Sequence, residues 1–296
     1  MQINYRTFSD FLSTVSPFKL QKISINAGFS CPNRDGSKGV GGCTYCNNRT
    51  FSPAYTASNK SVTKQLEDGV RFFANKYPDM KYLAYFQAYT NTYDTIDRLL
   101  ARYYEALDFP GVEGLIISTR PDCMPEELLS ELEKIAKNRL LLVEYGIEST
   151  DNQTLNYINR CHTFEDAVDC IERTYRRGIF CGVHIILGLP GETREMIVSH
   201  AVKISGLPLT TVKIHQLQVI RGTAMERQYH TNPELFHFFT VEEYIALCID
   251  FLCHLNPNFY IDRFVSQSPA ESLIVPGWGL KNHEFTVKLN AAIASV

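Results

Sequence analysis

The sequence predicts an α/β protein built on a parallel β-sheet that is covered by helices. Six strand-like segments alternate along the chain with amphipathic helical segments. The strand-like segments are largely apolar on both faces, which is typical of buried parallel sheets. The 296 residues, of which 45% are hydrophobic, suffice for a large core. An open, partial (βα)6 barrel and a doubly wound sheet both fit this alternation.

The predicted strands are short and rich in apolar and β-branched residues. They lie at 22–27, 81–89, 114–119, 140–147, 180–187 and 211–219. The predicted helices have apolar residues near a 3.6-residue spacing. They lie at 61–77, 94–107, 125–137, 151–158, 163–177, 192–205 and 240–255. Thr163 with Asp166 and Thr240 with Glu243 are typical of capped helix N-termini.

The chain shows no interdomain linker, no short repeat and no low-complexity segment. We therefore predict a core over residues 1–255 and a C-terminal extension, residues 256–296, that packs on it. No run of about 18 apolar residues occurs, so no membrane span is expected. The N-terminus lacks the layout of a signal peptide, and a cytoplasmic location is the expectation.

Nine cysteines in a chain of this length do not indicate a disulfide framework, because secreted disulfide scaffolds are short and denser in cysteine. Three of them, Cys31, Cys43 and Cys46, fall in one loop directly after the first predicted strand. Four glycines in the same loop give it the freedom to wrap a compact group. The loop is the strongest functional signal in the sequence.

Three thiolates suit an iron–sulfur cluster with one open iron. A structural zinc site normally needs four ligands, and no second Cys-x-x-Cys pair is present. Buried, inert thiols are the alternative. In parallel βα folds, ligands bind at the carboxyl ends of the strands. Polar residues also fall at this level, within or after other strands, and we expect them to form one pocket with the loop. They are Thr90, Ser118, Glu148 and His184.

The charge of the chain is unevenly distributed. The net charge is −3, which excludes a strongly basic protein. Residues 19–64, however, include seven lysines and arginines but only one aspartate. This segment therefore carries a net charge of +6, and the remainder of the chain carries −9. An anionic cofactor or substrate near this segment is one interpretation, and a chance cluster on a solvated face is the other.

The cysteine loop resembles that of the radical S-adenosylmethionine (SAM) superfamily, with an aromatic residue, Tyr45, just before the last cysteine. Eleven residues separate Cys31 from Cys43. This long spacing is similar to the YhcC/YtqA-type branch, which is related to the radical SAM part of the Elongator catalytic subunit. Further segments resemble that branch, at 143–149, 159–162, 184–193, 212–219 and 221–223.

The resemblance implies a partial (βα)6 TIM-like barrel of the radical SAM type. It also implies an enzyme that reductively cleaves SAM at a [4Fe–4S] cluster to a 5′-deoxyadenosyl radical. In this chain the cluster ligands would be Cys31, Cys43 and Cys46. The residues placed near SAM would be Tyr45, Ala88, Tyr89, Thr90, Ser118, Glu148, Arg160 and His184.

The same resemblance implies a tRNA substrate whose wobble uridine side chain is modified, and a low-potential electron donor such as flavodoxin or ferredoxin. Two other hypotheses remain open at this point. One is a radical SAM enzyme that acts on a small molecule or a peptide. The other, of a different class, is a non-catalytic metal-binding module, for which the six strand–helix units and the pocket residues have no evident use.

Overall fold

The structure, a computed structural model, describes residues 3–50, 52–74 and 79–295. Its strands are β1 (Arg6–Thr7), β2 (Leu20–Ile25), β3 (Lys81–Phe86), β4 (Val112–Thr119), β5 (Leu140–Glu148), β6 (Phe180–Leu187), β7 (Thr211–Gln216), β8 (Val219–Ile220), β9 (Tyr260–Arg263) and β10 (Leu273–Val275). The strand predicted at 211–219 is therefore two strands. The second of them, β8, pairs antiparallel with β10 in a separate small sheet.

The helices are α1 (Phe8–Val15), α2 (Val62–Phe73), α3 (Ile96–Leu107), α4 (Glu126–Ala136), α5 (Asn152–Tyr157), α6 (Phe164–Arg176), α7 (Arg194–Ser205), α8 (Ala224–Thr231), α9 (Val241–His254) and α10 (Asn282–Ala294). The capping boxes predicted at Thr163–Asp166 and Thr240–Glu243 are both present. The last residues of the first predicted helix, 75–77, lie outside the described residues.

The main sheet places β2 to β7 side by side in chain order, and all adjacent pairs run parallel. A doubly wound sheet would instead reverse its strand order at a switch point. The sheet also curls until side chains near its two edges meet, with Lys22 Nζ of β2 2.8 Å from Asp262 Oδ2 of β9. The predicted partial (βα)6 barrel is therefore confirmed.

Both termini of the described chain add to this barrel. Strand β9 pairs with β7, and β1 then pairs with β9, so the main sheet has eight strands within the described residues. Residues beyond 255 thus contribute β9 to the main sheet, and α10 packs on α9. Among the described residues, no helix has the length and apolar character needed to span a membrane.

The barrel interior is layered along the strands. At the amino ends, α1 inserts Phe8, Phe11 and Leu12 against Leu83 and Leu142. Burying an apolar side chain of this size contributes about 1.5–3 kcal/mol, so this apolar layer is a substantial part of the core. Polar and charged side chains occupy the middle of the barrel, and a cavity opens at the carboxyl ends. The function-bearing residues therefore lie on top of a packed base.

Candidate active site

One cavity of about 220 Å³ lies at the carboxyl ends of the barrel strands. The predicted site residues that line it are Cys31, Cys43, Tyr45, Cys46, Tyr89, Thr90, Ser118, Glu148, Arg160 and His184. Ala88 is the predicted residue that does not reach it, because its side chain is 2% exposed and packs into the core. The barrel therefore brings together residues that are widely separated in the sequence.

The loop of residues 31–46 is folded tightly upon itself. The Cys46 amide donates to the Cys43 carbonyl at 3.0 Å, which closes the turn between these two cysteines. Gly42 has a φ of +79°, a conformation that favours glycine. A Cβ at Gly39 would lie 2.1 Å from Asn33 Oδ1, so only glycine allows the loop to pass this close.

The cysteine sulfurs face N–H donors. Cys43 Sγ accepts from Asn33 Nδ2 at 3.5 Å and from Arg160 Nη1 at 3.4 Å. Cys46 Sγ accepts from Asn48 Nδ2 at 3.6 Å. Burial and the neighbouring Cys43 raise the pKa of the Cys46 thiol to about 11. Positive charge on bound iron would displace that proton, and the donors would then stabilise the sulfur as a thiolate.

Glu148 ends β5 in a strained conformation, with a φ of +65°. A non-glycine residue in the left-handed region costs about 1–3 kcal/mol and is typical of functional sites. Its Oε1 lies 3.5 Å from Arg160 Nη2, and its carboxyl shares a hydrogen bond with Tyr45. Burial nevertheless raises the pKa of Glu148, which Arg160 opposes. The strain aims this carboxyl group into the cavity.

Arg160 is only partly satisfied by the protein. Its Nη2 donates to the Gly146 carbonyl, and a Cβ at Gly146 would lie 2.7 Å from that nitrogen. Its Nε is buried without a hydrogen-bond partner. Arg120 supports it from behind by donating to the Arg160 carbonyl at 2.7 Å. A buried guanidinium with an unused donor is suited to an anionic ligand.

A network missed by the sequence analysis holds the backbone next to Glu148. The Glu192 carboxylate accepts from Ser149 Oγ at 2.7 Å and contacts His200 Nε2 at 3.0 Å. His200 Nδ1 in turn pairs with Thr150 Oγ1 at 2.7 Å. The segment 188–193 thus supplies a carboxylate that positions the end of β5.

A buried ionic layer crosses the barrel below the cavity. Lys213 Nζ lies 2.7 Å from Glu144 Oε2 and 3.0 Å from Asp262 Oδ2, and Lys22 also contacts Asp262. Two lysines therefore face two carboxylates. Burial would raise the pKa of Glu144, but attraction to Lys213 and Lys22 holds it well below its usual value. Glu144 inside the otherwise largely apolar strand β5 was the available sequence signal.

Two predicted SAM contacts, Ser118 and His184, are anchored in this layer. Ser118 Oγ donates to Glu144 Oε2 at 3.0 Å, and His184 Nε2 lies 2.8 Å from the same oxygen. Burial and nearby Lys213 lower the pKa of His184 to about 4, so its ring is neutral near pH 7. The proton then sits on Nε2, and Glu144 fixes the orientation of the ring toward the cavity.

Comparison with known families agrees with this geometry. A model described as "Radical SAM superfamily" matches residues 31–204, and one described as "Radical_SAM C-terminal domain" matches residues 209–294. The chain belongs to the radical SAM superfamily. Radical SAM enzymes use a [4Fe–4S] cluster and SAM and need a reductant, and this chain is such an enzyme.

Several relatives of this radical SAM enzyme are similar over much of its length. The protein YtqA of Bacillus subtilis is 32% identical over 286 residues, which cover 97% of this chain and 88% of YtqA. A tRNA uridine(34) acetyltransferase of Methanocaldococcus jannaschii is 31% identical over 167 residues, 55% of this chain and 30% of that protein.

Among solved structures, Elp3 of Methanocaldococcus infernus has a TM-score of 0.70 at 17% sequence identity, which shows the fold. The match covers 95% of this chain and 64% of the Elp3 chain, so this chain spans less than two thirds of Elp3.

The cavity fits an iron–sulfur cluster better than a single metal ion. Among the described residues, no three histidine, cysteine or acidic side chains converge on one ion position. Zinc requires such convergence, whereas a [4Fe–4S] cluster binds each cysteine through a different iron. Three cysteines that line one cavity from separate positions, with donors facing Cys43 and Cys46, therefore suit the cluster.

More than half of the cations of segment 19–64 are paired with carboxylates. Four of them pair with carboxylates outside the segment: Lys22 with Asp262, Lys38 with Asp122, and Lys60 and Lys64 with Asp68. The side chain of Arg49 lies outside the described residues. Counting charges along the chain therefore overstates the positive charge that faces a partner, because Asp68 lies just beyond the counted segment and the fold brings Asp122 and Asp262 from elsewhere.

The cysteines outside the loop lie in different environments. Cys170, Cys181 and Cys248 are buried in the core, and burial raises the pKa of each thiol. Cys161 is exposed with a φ of +57°, and its Sγ lies 3.1 Å from Asn33 Oδ1. Cys161 thus occupies a backbone position that favours glycine.

Proposed function

We propose that Cys31, Cys43 and Cys46 bind the [4Fe–4S] cluster and leave one iron open. The observation that carries this proposal is their common position on one cavity, with N–H donors directed at Cys43 and Cys46. When bound, the cluster supplies the electron that cleaves SAM to a 5′-deoxyadenosyl radical, which abstracts a substrate hydrogen. The protein's own residues bind SAM, orient it and exclude water.

Arg160 and Glu148 are the proposed anchors of SAM at this site. Arg160 has an unused Nε, and its Nη1 lies 3.4 Å from Cys43 Sγ. Both features favour a contact between Arg160 and the SAM carboxylate. Glu148, held in place by its strained backbone, would accept from hydroxyl or amino groups of the cofactor. Tyr45 lies beside both residues and supplies a ring for the adenine. Ser118 and His184 would complete the floor beneath the ribose.

Arg160→Ala is expected to weaken SAM binding by about 10- to 100-fold, because a charge-assisted hydrogen bond contributes roughly 1.5–3 kcal/mol. Calorimetric titration of the reconstituted enzyme with SAM measures this change. Arg176→Ala is the matched control, since Arg176 is exposed and pairs with Glu172 on the surface. Wild-type affinity in Arg160→Ala would show that SAM is held elsewhere.

We also propose that the substrate is a tRNA whose wobble uridine side chain is altered. The similarity to proteins named tRNA uridine(34) acetyltransferase supports this proposal. The cavity mouth supports it independently. Tyr89 is 40% exposed there, and the Arg34 guanidinium lies 5.7 Å from the centre of its ring. An exposed aromatic ring next to an arginine is a platform on which an unpaired base stacks.

The test is mass spectrometry of tRNA nucleosides from a strain that lacks the gene. One wobble uridine derivative should disappear and its precursor should accumulate. The wild-type gene should restore the product, and a Cys43→Ala gene should not, although its protein is still made. An unchanged set of wobble nucleosides would contradict the tRNA proposal and favour a small-molecule or peptide substrate.

A further inference from the structure

One wall of the cavity is formed by β7 and by residues 263–268, away from the cysteine loop. Arg263 and His215 lie here, with Arg263 Nη2 3.0 Å from His215 Nδ1. Ser266 Oγ pairs with the same histidine nitrogen. Gln216 fixes Ser266 by accepting from its amide and by donating to its carbonyl at 3.2 Å. The wall is therefore a built group of polar side chains.

Arg263 is the unbalanced charge of this region. Among the described residues, no carboxylate oxygen lies within 4.0 Å of its guanidinium. The carboxylates of the ionic layer, Glu144 and Asp262, are already matched by Lys22 and Lys213. Burial lowers the pKa of both His184 and His215, so neither ring adds charge near pH 7. The ionic layer and this wall together thus carry one unneutralised positive charge, that of Arg263.

An uncompensated guanidinium inside a cavity is costly, and an anionic ligand that binds there offsets the cost. SAM is not required for this role, because Arg160 lies on the other wall with its own unused donor. We propose that Arg263, with His215 and Ser266, binds a carboxylate group of the substrate. This inference rests on the proposed function, since it describes the wobble side chain that enters the cavity.

A carboxylate fits better than a phosphate for two reasons. A single excess positive charge is matched by a monoanion, whereas a phosphate monoester carries about −1.5 to −2 near pH 7. A backbone phosphodiester is a monoanion, but it is flanked by nucleosides on both sides, whereas a carboxylate at the end of a side chain enters a cavity without them. The planar guanidinium also matches the two oxygens of a carboxylate.

The site is tested with acetate as the probe, by saturation-transfer NMR on the reconstituted enzyme. SAM is present, so that the open iron and Arg160 are occupied. Wild-type enzyme should give a saturable signal, and Arg263→Gln should weaken acetate binding at least about 10-fold. Arg263→Lys, which keeps the positive charge, should retain part of the acetate affinity. Arg221→Gln, an exposed arginine outside the cavity lining, is the control.

Wild-type acetate affinity in folded Arg263→Gln would overturn the inference. The nucleoside that accumulates in the deletion strain gives a second decision. This nucleoside should bind to an anion-exchange column and should no longer bind after methyl esterification of its carboxylate. A neutral precursor would overturn the inference but would leave the tRNA proposal standing. Unchanged nucleosides together with Arg263-dependent acetate binding would instead overturn the tRNA proposal and assign the carboxylate to a small molecule or peptide.

Discussion

Replacing Cys43 with alanine is expected to abolish the iron–sulfur absorbance of the anaerobically reconstituted protein near 400 nm. The variant removes one of only three thiolates and leaves the donors of Asn33 and Arg160 facing no sulfur. A cluster held by two cysteines has two open irons and is lost on desalting. The same result is expected for Cys31→Ala and Cys46→Ala, measured by absorbance and by iron content.

Cys170→Ala and Cys248→Ala are the matched controls for these variants. Both cysteines are fully buried on helices, α6 and α9, and neither lines the cavity. They should keep the full iron content, with at most a small loss of stability from the missing sulfur. If all five variants kept a complete cluster, the proposed ligands would be wrong.

Glu144→Ala is expected to lower the free energy of unfolding by about 3–5 kcal/mol, the range found when one partner of a buried ion pair is removed. The change leaves Lys213 with less compensation and deprives Tyr85, Ser118 and His184 of a common acceptor. Urea unfolding of the cluster-free, reduced protein measures it, because a bound cluster would break two-state behaviour.

The control is Glu172→Ala, which removes an exposed surface pair with Arg176 and should cost about 0–1 kcal/mol.

The stability of the protein at acid pH provides a second measurement on the ionic layer. Burial raises the pKa of Asp262, but Lys213 and Lys22 lower it to about 2. Its stabilisation is therefore complete above its unfolded pKa of about 3.9 and is lost as pH falls through about 2. A cost below about 1 kcal/mol for Glu144→Ala would contradict the structural role of the layer.

The fold was largely predictable because its information is local. Apolar strands, amphipathic helices and two capping boxes each lie within a short window of sequence. Strand order is different, since periodicity does not say which strands are neighbours. The choice between a barrel and a doubly wound sheet therefore came from resemblance and from the structure. The same holds for β9, whose pairing with β7 joins segments about 50 residues apart.

The candidate site was predictable to the extent that its residues follow strands. The cysteine loop follows β2 and Glu148 ends β5, so a parallel fold brings both to one edge, whereas His184 lies within β6. The ionic layer was not predictable, because Lys213 and Glu144 are in contact although they lie 69 positions apart in the sequence. The charge count shares this limit of sequence order, since it includes Lys22, which the fold pairs with Asp262 inside the barrel.

The most direct test of the central claim is anaerobic incubation of the reconstituted enzyme with SAM and dithionite, followed by chromatography for 5′-deoxyadenosine. A cluster held by Cys31, Cys43 and Cys46 with SAM at the open iron predicts that wild-type enzyme releases 5′-deoxyadenosine. Cys43→Ala, treated identically, should release none, and Cys170→Ala should match the wild type. A complete cluster that yields no 5′-deoxyadenosine, even when tRNA from the deletion strain is added, would contradict the claim.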